Sequence, residues 1–182
     1  DFRRSRGLGD VYKRQGYTSV KGNSVLKDST IRTFEHDEVS YQDFLKELHQ
    51  SNKDGLDIYV GSDSQILKDK ISLVTCICFY KTGVSKNSIF YIKKRISKKR
   101  YPTLRARMLL EAYSSIEAAM ELDPLTKGSL TVHLDVGEDF MRNKTAKFSR
   151  ELQILVKSQG FGCEVKPNSW ASSCVADKYT KS

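Results

Sequence analysis

The chain has 182 residues and a formal net charge of +9, with 38% hydrophobic and 29% charged residues. This length and composition are typical of a globular protein with one domain and a short extension. No segment reaches the roughly 18 consecutive apolar residues that a membrane-spanning helix needs, and no signal peptide is recognisable. The excess of positive charge favours a polyanionic partner such as nucleic acid.

The first 29 residues are predicted to be a disordered leader, followed by one domain over residues 30–182. Residues 1–15 resemble a translated sequencing adapter and are excluded from the fold prediction. They carry five basic and two acidic residues, so the rest of the chain keeps a net charge of +6. A helix is predicted over residues 40–51, with Ser40 as its cap and an apolar face that includes Phe44 and Leu48.

The four cysteines have no spacing typical of a zinc site. Cys76 and Cys78 alternate to one face of a predicted strand, which favours a role as small core residues. Without a disulfide framework or a membrane segment, the expected setting is a reduced, cytoplasmic one.

An apolar, β-branched stretch predicts a buried strand that begins near Ile58 and ends in a carboxylate, Asp63. Gly61 allows a backbone or a ligand to approach this strand closely. Asp63 is therefore a candidate metal ligand, with Ser64 beside it as a possible supporting residue. The alternative is an ordinary turn aspartate after an edge strand.

Two further strands are predicted over residues 71–80 and 88–96. Because the connections are short, the three strands should form an antiparallel meander.

Basic residues are concentrated between positions 93 and 107, and two tyrosines, Tyr91 and Tyr101, flank the densest part. Cations with aromatic rings between them are typical of surfaces that bind nucleic acid. The alternative is a solvated strand end and helix start. The residues predicted to contact nucleic acid are Lys98, Lys99, Arg100, Arg105 and Tyr101.

A long helix is predicted from Pro102 and Thr103 to Leu122, with Glu111 at the edge of its apolar face. A carboxylate that borders the core is costly unless it is paired or binds a metal. Glu111 is thus a second candidate ligand, and a salt bridge to Arg105 or Arg107 is the alternative.

A second buried strand is predicted from Leu130 to Gly137, and it carries Asp135 at its end. A helical crossover leads into it, so it should lie parallel to the strand of Asp63. Both carboxylates would then lie at the same end of the sheet, where α/β proteins bind ligands. His133 shares the face of Asp135 and either supports the site or is a core histidine bonded to the backbone.

The remaining elements are predicted to be a helix over residues 143–159, a short strand over 161–165 and a last helix over 170–178. Trp170, Ser173 and Asp177 share one face of that last helix. Asp177 is the fourth candidate ligand, with Ser173 as a possible supporting residue; the alternative is an ordinary surface helix.

The order of these elements resembles the ribonuclease H-like fold, which is an α/β fold with a mixed five-stranded sheet, here with an N-terminal helical extension. That order is strand, strand, strand, helix, strand, helix, strand, helix. Four segments are similar to those of the small bacterial ribonuclease H-like family that includes YkuK, and the resemblance spans roughly residues 30–181. The segments are 59–65, 105–112, 133–137 and 166–178.

This resemblance implies a metal-dependent nuclease whose catalytic, metal-binding residues are Asp63, Glu111, Asp135 and Asp177. Oxygen ligands of this kind suit Mg²⁺ or Mn²⁺, and two ions would cooperate in hydrolysis of a phosphodiester bond. Asp63 would bridge both ions, Glu111 and Asp135 would complete one, and Asp177 the other. The substrate would be RNA, an RNA–DNA hybrid or structured DNA. The alternative is a nucleic-acid-binding protein without catalytic activity.

Overall fold

The computed structural model describes residues 24–139, 141 and 144–174. Short 3₁₀ turns lie at Lys98–Arg100 and Asp123–Leu125. The helices and strands in chain order are β1 (Ile31–Thr33), β2 (Glu38–Val39), α1 (Tyr41–Lys53), β3 (Asp57–Leu67), β4 (Lys70–Tyr80), β5 (Ser88–Ser97), α2 (Leu104–Leu122), β6 (Leu130–His133), α3 (Ala146–Ser158) and β7 (Gly162–Glu164).

The strands form one mixed sheet in the order β2-β1-β5-β4-β3-β6-β7. The predicted antiparallel meander is present as β3, β4 and β5, and β6 pairs with β3 in parallel as the crossover required. The predicted number of five strands is wrong, because the part of the chain that the structure describes forms a sheet of seven strands. The two additional strands, β1 and β2, have three and two residues, and segments this short carry no readable alternation.

The last residues of the predicted leader are folded in the structure. Residues 25–28 form a turn, and Leu26 is 1% exposed within the main core. The backbone N–H of Leu26 donates to Glu121 Oε2 at 3.1 Å, and the hydroxyl of Ser24 donates to the same carboxylate. Residues 1–23 lie outside the described part of the chain.

The predicted first helix is confirmed as α1. The side chain of Ser40 accepts a hydrogen bond from the backbone N–H of Asp43, which satisfies one of the free donors at the helix start. Phe44 is fully buried and packs against Phe79 and Phe90, with ring centroids 5.9 and 5.2 Å away. This contact fixes α1 on the antiparallel half of the sheet.

The sheet has two different faces, because successive side chains of a strand point in opposite directions. On the helical face, Ile58 and Val60 lie in the main core with residues of α2 and α3. On the outer face, residues of β4 and β5 form a smaller apolar cluster with Ala171, which includes Val74, Cys76, Cys78 and Tyr91. Within the described ranges, no helix is long and apolar enough to cross a membrane.

Gly61 permits the closest contact on the outer face. A Cβ atom at this position would lie 2.4 Å from the backbone nitrogen of Ser172 and 2.7 Å from its Cα. The segment of residues 170–174 therefore rests directly on β3. The glycine is needed for this close approach of two backbones and not for a turn.

We predict that Gly61→Ala destabilises the protein by about 1–3 kcal/mol, because the added methyl group collides with backbone that cannot rotate away. Trp170, which is the single tryptophan of the chain, reports on the position of the segment. Its fluorescence should shift to the red and the thermal midpoint should fall. Asn168→Ala, at an exposed position just before the segment, should change neither. Unchanged fluorescence in Gly61→Ala would contradict the close contact.

Candidate functional site

Glu111 lies on α2 and is only 6% exposed. The hydroxyl of Ser64 on β3 donates a hydrogen bond to Glu111 Oε1 at 2.5 Å. Ser64 thus contacts one of the predicted ligands directly, which is compatible with its predicted supporting role. The carboxyl of Glu111 is held between α2 and the end of β3, at the edge of the core.

Burial raises the pKa of Glu111 well above its usual range, because the charged form loses its hydration. The negative charges of Asp63 and Asp135 raise this pKa further, whereas Ser64 and Arg107 lower it. Arg105, the other partner considered for Glu111, instead forms an ion pair with Glu151 on α3. The effects of Asp63 and Asp135 indicate that the three carboxylates lie in one region of the molecule.

The parallel pairing of β3 and β6 explains this clustering. Gly61 is in register with His133, so Asp63 and Asp135 each follow the same paired position by two residues. Asp135 lies just beyond the end of β6, half-buried, and its carboxylate forms an ion pair with Lys166 Nζ at 2.8 Å. Two of the predicted acids are thereby brought to the same end of the parallel strands.

Asp63 and Glu111 reach the candidate site from different faces of the sheet. Ser62 and Ser64 contact α2, so the alternation along β3 places the half-buried Asp63 on the outer face. Among the residues that the structure describes, no group of three or more Asp, Glu, His or Cys side chains is arranged to hold a metal ion. Asp177, the fourth predicted ligand, lies outside the described residues. The metal site therefore remains a prediction.

The donor set nevertheless fits a hard divalent cation in kind. Burial raises the pKa of the Glu111 carboxyl, and the negative charges of Asp63 and Asp135 add to this effect. A cation with a charge of two relieves both the repulsion and the burial cost, and it prefers oxygen ligands of this type. In the present arrangement, Lys166 partly supplies that positive charge at Asp135.

A chain of buried hydroxyl groups fixes α2 to the sheet next to Glu111. Ser62 Oγ lies 2.8 Å from Ser115 Oγ and 2.9 Å from Thr75 Oγ1, and Thr75 Oγ1 lies 2.8 Å from Ser114 Oγ. The sequence does not predict this network, because single serines and threonines in apolar elements have no distinctive pattern. Each hydroxyl is satisfied by another, so the network defines where Glu111 meets β3.

His133 is 1% exposed, and its Nδ1 atom accepts hydrogen bonds from the backbone N–H groups of Trp170 and Ala171, at 3.2 and 3.0 Å. An imidazole that accepts at Nδ1 carries its proton on Nε2 and is neutral. Burial lowers the pKa of His133 to about 4, which agrees with this state. Of the two interpretations, the structure shows a core histidine bonded to backbone, and it holds the segment 170–174 in place.

The predicted last helix begins in this segment, and only its first residues are described. Residues 171–174 form a turn, and residues 175–178 lie outside the described part. Ser173 is exposed, and its hydroxyl donates to the backbone oxygen of Trp170 at 3.2 Å. Its supporting role in the site remains a prediction.

The residues predicted to contact nucleic acid have different environments. Lys98, Lys99 and Arg100 are exposed in a 3₁₀ turn after β5. Tyr101 is half-buried against an apolar cluster that contains Leu110, so its ring is partly occupied. Arg105 is exposed and paired with Glu151.

Two other cations lie on the same face of the sheet as Asp63. Val74 pairs with both Asp63 and Lys93, and Arg95 follows Lys93 by two residues. Partial burial lowers the pKa of Lys93, and the charges of Arg95 and Arg32 lower it further. The two-residue alternation of the predicted strand would have singled out Lys93 and Arg95, had it been applied to charge as well as to burial.

A family model described as "Ribonuclease H-like" matches residues 40–181 of the chain. A protein of Bacillus subtilis (strain 168), described as "Uncharacterized protein YkuK", is 29% identical over 164 residues. That match covers 79% of this chain and 92% of the Bacillus protein. No solved structure gives a significant match.

We predict that Glu111→Gln stabilises the metal-free protein at neutral and alkaline pH. The raised pKa favours the protonated carboxyl in the folded state, so wild type loses stability as the pH rises above about 4.5, whereas the amide does not titrate. Thermal melts in chelator should show that the midpoint of Glu111→Gln exceeds that of wild type by a margin that grows from acidic to alkaline pH. Each kcal/mol of difference in stability corresponds to a difference of about 2–4 °C in the midpoint.

Added Mg²⁺ or Mn²⁺ should raise the midpoint of wild type more than that of Glu111→Gln, since the variant has lost a charged ligand. Glu35→Gln removes an exposed carboxylate in the turn between β1 and β2, and it should behave like wild type. A variant that melts far below wild type in chelator at neutral pH would show that the charge of Glu111 is structural.

Proposed function

Because the chain belongs to the ribonuclease H-like family, we propose that it is a divalent-metal-dependent nuclease that hydrolyses phosphodiester bonds in nucleic acid. The observation that carries the proposal is the buried carboxyl of Glu111 beside the end of the parallel β3–β6 pair, where Asp63 and Asp135 follow at matched positions. In a protein that only binds nucleic acid, carboxylates at the edge of the core would weaken binding, since they repel phosphate. Their electrostatic cost is offset where a cation is held among them.

In this proposal Asp63, Glu111 and Asp135 hold Mg²⁺ or Mn²⁺, and Asp177 adds a fourth carboxylate. The bound ions would supply an activated water and neutralise charge on the leaving oxygen. The protein fixes Glu111 through Ser64 and through the hydroxyl chain that anchors α2. Lys166 would be displaced from its ion pair with Asp135 if that carboxylate held a cation.

Two cations that share the outer face with Asp63 would hold the phosphates of the substrate. Lys93 and Arg95 project from one strand two residues apart, which corresponds to about 7 Å. Lys98, Lys99 and Arg100 continue the basic surface beyond the end of β5. The substrate is proposed to be RNA, an RNA–DNA hybrid or structured DNA, in the cytoplasm.

One observation favours the second candidate function, a nucleic-acid-binding protein without catalysis. Asp135 is already neutralised by Lys166, and the described residues contain no set of three ligands arranged for an ion. A protein of this kind would use the basic surface alone.

We predict that Asp63→Asn loses cleavage by orders of magnitude in Mg²⁺ or Mn²⁺, because the amide removes a negative charge that would help to hold the ions. Labelled single strands, duplexes and hybrids serve as substrates, and metal-free affinity for them should stay equal or improve. Asp69→Asn changes an exposed aspartate in the turn after β3 and should cleave like wild type. Wild type that binds these substrates and cleaves none with either metal would identify a binding protein.

We predict that Lys93→Gln with Arg95→Gln weakens binding of nucleic acid and flattens its salt dependence. Each lost phosphate contact lowers the slope of log K against log salt by about 0.7 on single strands. Fluorescence anisotropy in chelator measures this between about 50 and 200 mM salt. The triple variant of Lys98, Lys99 and Arg100 to Ala should act in the same direction.

The matched control for charge is Arg150→Gln with Lys157→Gln, since both residues are exposed on α3, which contacts the edge strand β7. This control removes two cations and should keep the slope of wild type. Equal slopes for the β5 variant and the control would reduce the role of Lys93 and Arg95 to general charge.

A further inference from the structure

We propose that Cys78 and Cys174 form a dithiol site that low-molecular-weight disulfides oxidise to an intramolecular disulfide, which joins the segment 170–174 to β4. This inference is independent of the proposed function, because it uses neither the carboxylates nor the basic surface. It assigns a chemical role to a part of the outer face that the site does not use.

The two cysteines belong to one apolar cluster on the outer face. Cys78 on β4 is 1% exposed within this cluster, and the half-buried Cys174 packs against the cluster. The two thiols interact, because each shifts the pKa of the other. The fold therefore brings together two thiols that are far apart in the sequence, one on a rigid strand and one on a docked segment.

A small reactant has a route to this pair. A cavity of about 390 Å³ lies beside Cys78, and its lining also includes Asn87 and Trp170. The remaining walls are apolar or aromatic, so the cavity suits a small organic molecule better than an ion. Cys174 also keeps part of its surface in solvent.

The interaction between the two thiols gives them different reactivities. It lowers the pKa of Cys174 to about 7, because it stabilises the thiolate, and it raises the pKa of Cys78, whose proton it uses. A thiol with a pKa near the ambient pH is the best attacking group in thiol–disulfide exchange. Cys174 is thus the nucleophile and Cys78 the resolving thiol.

The reaction balances with a disulfide RSSR as the oxidant. The Cys174 thiolate attacks one sulfur, which breaks the S–S bond, forms Cys174–S–SR and releases RS⁻. Cys78 then loses its proton and attacks the Cys174 sulfur, which forms the Cys78–Cys174 bond and releases the second RS⁻. Two protein thiols are oxidised by two electrons, and RSSR is reduced to two RSH.

The other cysteines provide internal references. Cys163 in β7 is half-buried, and burial raises its pKa to about 11, so it should react slowly. Cys76 lies on the same face as Cys78 but is fully buried under the cluster. A chemical oxidant should therefore distinguish Cys174 from both.

The experiment treats the full-length folded protein with oxidised glutathione, and then combines intact mass measurement with peptide mapping without reduction. Wild type is expected to lose two hydrogen atoms in mass and to yield a Cys78–Cys174 peptide, with no glutathione retained. Cys78→Ala should stop at a mixed disulfide, with glutathione on Cys174. Cys174→Ser should stay unmodified under conditions in which wild type is fully oxidised.

Cys163→Ser is the matched control and should behave like wild type. A second measurement, the pH dependence of alkylation at Cys174, does not require a disulfide to form. Its midpoint should lie near pH 7 in wild type and move upward in Cys78→Ala, which has lost the hydrogen-bond donor. The proposal is overturned if wild type retains glutathione, if Cys163 reacts first, or if the alkylation midpoint is the same in both proteins.

Discussion

The parallel ladder between β3 and β6 is the interaction on which the rest of the arrangement depends. One paired position, Gly61 with His133, has consequences on both strands. Asp63 and Asp135 follow it by equal distances along parallel strands, so their carboxylates are brought to the same end of the sheet. Gly61 leaves space beside β3 for the segment 170–174, and His133 accepts the hydrogen bonds of that segment. A shift by one residue would move all of these side chains to the opposite face.

Glu111 completes this arrangement at an electrostatic cost. Burial of the ionised Glu111 carboxylate would be strongly destabilising, and the charges of two neighbouring carboxylates add to this cost. The hydroxyl chain between β3, β4 and α2 offsets part of it by keeping the helix in one position. The fold thus maintains a locally unfavourable carboxyl by rigid surroundings, a pattern more typical of functional sites than of structural ones. The match to the ribonuclease H-like family supports the proposal that this carboxyl serves in a nuclease site.

The sequence allowed the main elements and the matched positions of Asp63 and Asp135 on parallel strands to be predicted, because burial and connection type leave clear patterns. The length of the crossover between β3 and β6 implied their parallel pairing, and the capping pattern at Ser40 implied α1. The burial of Leu26 and the two edge strands had no such pattern, since isolated residues and pairs of residues have no period. The partners of His133 and the contact of Cys78 with Cys174 depend on how the last segment folds back, which is a tertiary property. The same holds for the ion pair of Lys166 with Asp135.

The hydrogen bonds to His133 have a consequence for the behaviour of the protein in acid. The segment 170–174 is held by a lone pair on Nδ1, and this lone pair is the atom's site of protonation. Because the folded-state pKa of His133 is depressed to about 4, its contribution to stability is complete above about 6.5 and declines as the pH falls toward 4. Acidification removes the acceptor for both backbone donors at once, while the strands beneath keep their own ladders. Protonation of the imidazole therefore releases the segment 170–174, so mild acid would loosen this segment before it disturbs the sheet.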